Sequence, residues 1–304
     1  MKKSLFVLFI PLFLFLTSCT KELYSLKFAP AQGKSYRITT VSEQNISQEM
    51  MGQKIDIKQV LEMRYLFSVK ESQEKGETRI DVVYERIKVE QQNDLMPISF
   101  DSDIPGNPDL ENPFGIAFSA LKGSTFSMIV GEDGSVKKVE GIETMVGDMI
   151  SKINATLVND TTDGITDVLD MVKSEYSAEK IRKQMESSLK IFPGKDVSVG
   201  AFWKIKNEID GIVPMETETE YLLKDIQTDV AVLDVKGTFD INQSSAMGAI
   251  KLTGTQEGEV TVDKATGFTL KSVITQKMSG TSEAMGMSLP MNIESVTTTT
   301  SEKL

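Results

Sequence analysis

Ile142-Glu-Thr-Met145-Val146-Gly-Asp-Met149-Ile150-Ser-Lys-Ile153-Asn-Ala-Thr-Leu157 sets apolar residues at three- and four-residue steps, the mark of one buried helix face. After a polar break at Asn159–Gly164, the spacing resumes through Val168, Leu169, Val172 and Tyr176. A third run opens at Ser177, a residue suited to an N-cap, and carries Ile181, Met185 and Leu189 before Pro193-Gly194 stops it. On either side of this segment apolar residues alternate instead, as in half-buried strands. The expected fold class is therefore α+β: two related antiparallel β units, each a curled sheet, flanking a central helical segment. Residues 23–140 form the first unit, 141–192 the helical segment and 193–304 the second unit, packed as one body with the first.

Tyr24, Leu26 and Phe28 alternate as a first strand, and Tyr36 and Ile38 begin the next. The clearest β pattern is Ile55, Ile57, Leu61, Met63, Tyr65, Phe67 and Val69 on one parity, with Asp56, Lys58, Glu62, Arg64 and Lys70 on the other. A strand of about fifteen residues spans roughly 50 Å and belongs in a strongly twisted or curled sheet. Ile80, Val82 and Tyr84 share a face, but Ile87 and Val89 change parity, which places a bulge near Glu85–Arg86. Gln91–Gly115, with four prolines, reads as a long mobile connection. The halves look duplicated: Gly33-Lys-Ser-Tyr36 matches Gly200-Ala-Phe-Trp203, Tyr65-Leu-Phe67 matches Tyr221-Leu-Leu223, and Leu121-Lys-Gly123-Ser124 matches Leu252-Thr-Gly254-Thr255. Tyr36 and Trp203 are then expected at equivalent positions.

Before these strands, Lys2 and Lys3 precede a short apolar run from Leu5 to Leu16, followed by Leu16-Thr17-Ser18-Cys19. The run is too short to span a bilayer. It resembles a bacterial lipobox, which implies a signal peptide over 1–18, lipidation at Cys19 and a lipid-anchored tether over 19–22. Thr20 does not resemble an inner-membrane retention signal. The expected location is the cell envelope, lipid-anchored in the outer membrane, on either its periplasmic or its surface face.

The net charge of −11 disfavours nucleic acid and anionic lipid headgroups. Histidine is absent, and Cys19 is the sole cysteine, which removes the commonest general base, disulfides and most transition-metal chemistry. Asp101-Ser-Asp103-Ile-Pro105-Gly106 begins like a calcium loop, but Pro105 and Asn112 stand where ligands are wanted. No G-x-S-x-G elbow or phosphate loop occurs. No catalytic residue, cofactor or metal site is expected. Methionines gather beside glycines at Met50-Met51-Gly52, Met247-Gly248 and Met285-Gly286-Met287, where adaptable apolar tips suit contact with a partner.

Taken together, the lipobox, Leu26-Lys-Phe28-Ala-Pro30-Ala-Gln-Gly33-Lys-Ser-Tyr36, Pro193-Gly-Lys-Asp-Val197-Ser-Val199-Gly200-Ala-Phe-Trp203 and Asp263-Lys-Ala-Thr-Gly267 resemble a family of uncharacterised envelope lipoproteins. That resemblance implies no activity. At the level of fold alone the plan is analogous to Lol-type lipoprotein carriers, whose curled sheet is closed by helices over an apolar cavity. The expected function is non-catalytic binding of an apolar ligand, such as a lipid, in a curled-sheet cavity lined by Met63, Tyr65, Phe67, Trp203 and Tyr221. The alternative is a structural lipoprotein that docks an envelope protein through strand edges or Met-Gly tips.

Overall fold

A computed structural model describes residues 21–50, 53–72, 74–93, 97–104, 113–156, 165–209, 215–245, 248–284 and 287–304. In chain order the elements are β1 (Ser35–Met50), β2 (Gln53–Lys70), β3 (Glu77–Gln92), β4 (Ile98–Asp101), α1 (Pro113–Leu121), β5 (Thr125–Gly131) and β6 (Val136–Glu140). Helices α2 (Ile142–Thr156), α3 (Ile165–Glu175) and α4 (Ala178–Leu189) follow. The chain then returns to strands: β7 (Phe202–Ile209), β8 (Met215–Ile226), β9 (Val230–Ser245), β10 (Gly248–Asp263), β11 (Thr269–Ala284) and β12 (Met287–Lys303).

All twelve strands belong to one antiparallel sheet, ordered β6-β5-β3-β2-β1-β12-β11-β10-β9-β8-β7, with β4 added beside β3. This overturns the expected α+β plan of two β units flanking a helical segment. β1 and β12 pair from Tyr36–Lys303 to Gln48–Met291, so the two ends of the chain join the halves into one sheet. Periodicity reports which residues face a core, but pairing between chain ends leaves no local mark in either strand.

The duplication fails at the same seam. Tyr36 lies on β1 in the middle of the sheet, whereas Trp203 lies on β7 at its edge. Leu121-Lys-Gly123-Ser124 ends α1, while Leu252-Thr-Gly254-Thr255 lies within β10. What the two stretches share is a local entry. Gly33 and Gly200 both adopt positive φ, 72° and 87°, and donate their N–H groups to the carbonyls of Val69 and Leu223 at 3.0 and 2.8 Å.

Two sequence features shape the curl. Arg64 pairs with Arg86 and Tyr65 with Tyr84, which leaves Glu85 as the extra residue of a bulge where the parity change placed one. On the β10–β11 seam, a Cβ on Gly258 would run into the Val273 carbonyl, and one on Gly280 into that of Lys251. Glycine lets these strands bend more sharply than side chains would permit.

The Leu26–Phe28 alternation is a burial pattern and not a strand. Both residues are buried, but each stretch of backbone meets a different turn. Tyr24 forms an isolated bridge with Val197, Phe28 N–H donates to Glu132 at 2.7 Å, and Ala29 N–H donates to Thr266 at 2.8 Å. The segment is a strap across one end of the curled sheet.

Part of the proline-rich connection joins the fold. Ile98–Asp101 pairs with β3, and its buried Phe100 stacks on Phe118 of α1 at 6.2 Å. Residues 94–96 and 105–112 of this connection lie outside the described residues.

Helices α1, α2 and α3 pack on one another, with Ile142, Met145, Met149 and Ile153 buried along the stripe that the sequence shows. Lys152 Nζ donates to the carbonyls of Ala120 and Lys122, both at 2.9 Å, which caps the end of α1. Helix α4 has the expected N-cap: Ser177 accepts from Lys180 N–H at 3.3 Å. It packs against both β6 and β7, the two terminal strands of the sheet. Val136 N–H donates to Glu186 Oε2 at 3.0 Å, and Lys183 reaches Glu208 at 3.0 Å. The curled sheet is thereby closed across its open seam by one helix, which shields both edges.

Candidate functional site

Because β1 is in register with β2 and β12, residues of one parity share the concave face: Tyr36 opposite Phe67, Ile38 opposite Tyr65, Thr40 opposite Met63. Aromatic rings plug the end beneath the strap. Tyr36 stacks on Phe268 at 4.0 Å, and Phe28 and Phe67 approach the same ring at 5.9 and 6.5 Å. Above this plug, the concave face and α4 form the walls of a partly open cavity of about 460 Å³.

Met63, Tyr65, Phe67 and Tyr221, four of the five residues singled out in the sequence, line this cavity. Trp203 stands behind the wall. Its indole N–H donates to the Ile191 carbonyl at 2.9 Å, and its ring stacks on Tyr221 at 6.0 Å, so both of its neighbours face the cavity while it does not. Cys19 lies outside the described residues, as do residues 51–52, 246–247 and 285–286 of the Met-Gly tips.

Sequence reasoning missed the other half of the wall. Thr297, Thr299 and Ser301 of β12 face inward opposite β1, where they read as a fading polar end. Gln256 of β10 and Gln276 of β11 also face inward, as do Met185 and Leu189 of α4. No parity signal could have found them, because Thr297–Ser301 carries hydroxyls on both faces, and which face is inward follows only once β12 is known to lie beside β1.

Burial pushes the hydroxyls of Tyr65 and Tyr221 up, and that of Tyr176 up to about 12, so all three are neutral across the physiological range. No Asp, Glu, Lys or Arg occurs among the described lining residues. The incipient calcium loop is differently occupied. Asp101 takes a two-pronged contact from Arg86, with Nη2 at 2.6 Å and Nε at 3.0 Å, and Asp103 meets Lys122 at 2.8 Å. Among the described residues, no group of three or more acidic or sulfur ligands is placed to hold a metal ion, and no helix is long and apolar enough to cross a membrane.

Residues 75–269, from the turn before β3 to the start of β11, match the model of the Family of unknown function (DUF6263). The chain belongs to that family. The DUF6263 match includes both terminal strands and α4, the parts that close the cavity. No curated protein matches the chain.

Among solved structures, this DUF6263 chain is similar to one titled "Lipid-protein interactions in lipovitellin", at 10% identity over 90% of this chain and a TM-score of 0.46. It spans 26% of that protein's chain. An outer membrane channel from Pseudomonas putida F1 is similar at 8% identity over 90% of this chain and 97% of its own, with a TM-score of 0.25. The translocator domain of an autotransporter from Neisseria meningitidis gives 5% identity, 89% of both chains and a TM-score of 0.20. Likenesses this weak say nothing further of this chain.

Proposed function

We propose that this protein is a non-catalytic envelope lipoprotein that holds an apolar ligand inside its curled sheet. The observation that carries this reading is the cavity of about 460 Å³ bounded by Met63, Tyr65, Phe67 and Tyr221. Its size falls within the range of about 300–1,000 Å³ typical of small-molecule sites. Dense packing is the rule for interiors, and a largely apolar space this large departs from it, which supports a ligand as its occupant. Among the described residues the wall offers hydroxyls and amides but no charged acid or base, which supports binding without catalysis.

A lipid anchor at Cys19 fits the start of the described chain. Tyr24 is bridged to Val197, and Leu23, Val199 and Phe202 on either side of that bridge are exposed. An apolar rim beside the tether suits a bilayer surface. The alternative of docking a partner through strand edges has less support, because the terminal strands β6 and β7 both face α4.

The test is displacement of an environment-sensitive apolar dye from the protein by lipid extracted from the producing cells. Wild type should bind the dye saturably and release it to lipid. Leu61→Trp fills the cavity from a half-buried wall position and should bind at least about tenfold more weakly with an unchanged melting temperature. Equal binding by wild type and Leu61→Trp would place the dye elsewhere and remove the reading.

A further inference from the structure

A row of amides and hydroxyls crosses the concave face. Ser295 Oγ donates to Gln276 Oε1 at 3.0 Å, Gln276 Nε2 to Gln256 Oε1 at 3.5 Å, and Gln256 Nε2 to Thr219 Oγ1 at 2.7 Å. Strand register makes the row continuous. Ser295 is opposite Gln276, which is opposite Gln256. Gln256 is opposite Gly237, and Gly237 is opposite Thr219, so the amide reaches over a residue without a side chain to β8. Beyond the row the same face turns apolar again, with Phe239, Ile241 and Leu252 buried.

Two properties of the row bear on the ligand. Gln276, Gln256 and Thr219 line the cavity, and each of the two amides makes one donated and one accepted side-chain bond among the described residues. An amide has two N–H donors and an acceptor with two lone pairs, so capacity remains for a hydrogen-bonding guest. The second property is the lack of charge. The chain is 25% charged, yet no described residue of the lining is Asp, Glu, Lys or Arg. A carboxylate or phosphate held against this wall would be partly desolvated with no counter-charge among the described lining residues, which disfavours it.

We infer that the ligand is an uncharged single-chain amphiphile; this rests on the apolar-ligand reading above. Its tail lies against Leu61, Met63, Tyr65 and Phe67, and its hydroxyl, ester or amide head meets the Gln256–Gln276–Thr219 row. A single chain follows from the volume, about 460 Å³, which lies in the lower half of the usual small-molecule range.

The test compares three probes that share one acyl chain, monoolein, oleate and oleoyl lysophosphatidylglycerol, by calorimetric titration of the intact protein at a pH where oleate is ionised. Monoolein should bind at least about tenfold more tightly than either anion. Replacing both amides in the Gln256→Leu/Gln276→Leu variant should remove that preference by weakening monoolein alone. Thr219→Val, a milder change, should reduce it if the double variant does not fold. Tighter or equal binding of either anion by wild type would overturn the inference and leave the cavity reading standing. Binding of none of the three would overturn both.

Discussion

Asp101 shows how one residue type in one spacing takes a different role once the fold is known. Its place at the head of an Asp-x-Asp run suggests a calcium loop, but the β3 bulge swings Arg86 onto it, with Glu62 on the same guanidinium at 2.9 Å. The Arg86 hydrogen bonds hold the Asp101 carboxyl down to about 2, with a smaller contribution from the Asp103 backbone N–H at 3.0 Å. A carboxyl whose pKa falls on folding stabilises the fold fully above its unfolded value of about 3.9, and that contribution disappears as pH drops through the folded value. Asp101→Asn should therefore cost about 1–3 kcal/mol near neutrality. The difference from wild type should shrink between about pH 4 and pH 2, as urea titrations at a series of pH values would record. A difference that stays constant over that window would show that the charge of Asp101 contributes nothing.

Elements carry the curl and its closure. Helix α4 was legible because its cap, stripe and stop are local signals: Ser177, then Ile181 and Met185, then Pro193-Gly194. The bulge at Glu85 was legible because one extra residue reverses the parity of everything after it. The place of β1 beside β12 was not, because a strand between two partners has the same alternation whichever partners they are. That gap hid the hydroxyl wall of the cavity and also made one sheet look like two. Strand curvature rests on glycines that the sequence reading passed over. Gly258 is a position where any Cβ meets the Val273 carbonyl on the neighbouring strand. Gly258→Val should destabilise the protein by about 1–3 kcal/mol and speed amide exchange on β10 and β11 relative to β2 and β3. Uniform exchange across the sheet would show that the β10–β11 seam is not a point of special closeness.

The whole molecule is a single sheet rolled until one helix can bridge its edges, with a strap of rings at one end and a cavity above it. Four of the five lining residues named from sequence face that space: Met63, Tyr65 and Phe67 because strong alternation over Ile55–Val69 fixes one wall, and Tyr221 from β8. Trp203 was misplaced by one layer because edge-strand residues of the inward parity can pack against α4 and the segment after it instead of facing the cavity. Its position behind Tyr221 still makes it a reporter. Filling the cavity should shift its emission through the stacked ring at 6.0 Å, without contact between ligand and indole. The central claim is that the space is occupied in the cell. Native mass spectrometry of the mature protein from its own cells should show a non-covalent adduct of lipid-like mass, lost on denaturation and absent from Leu61→Trp. Wild-type protein that is adduct-free, and indistinguishable from Leu61→Trp after incubation with the cell's own lipids, would contradict it.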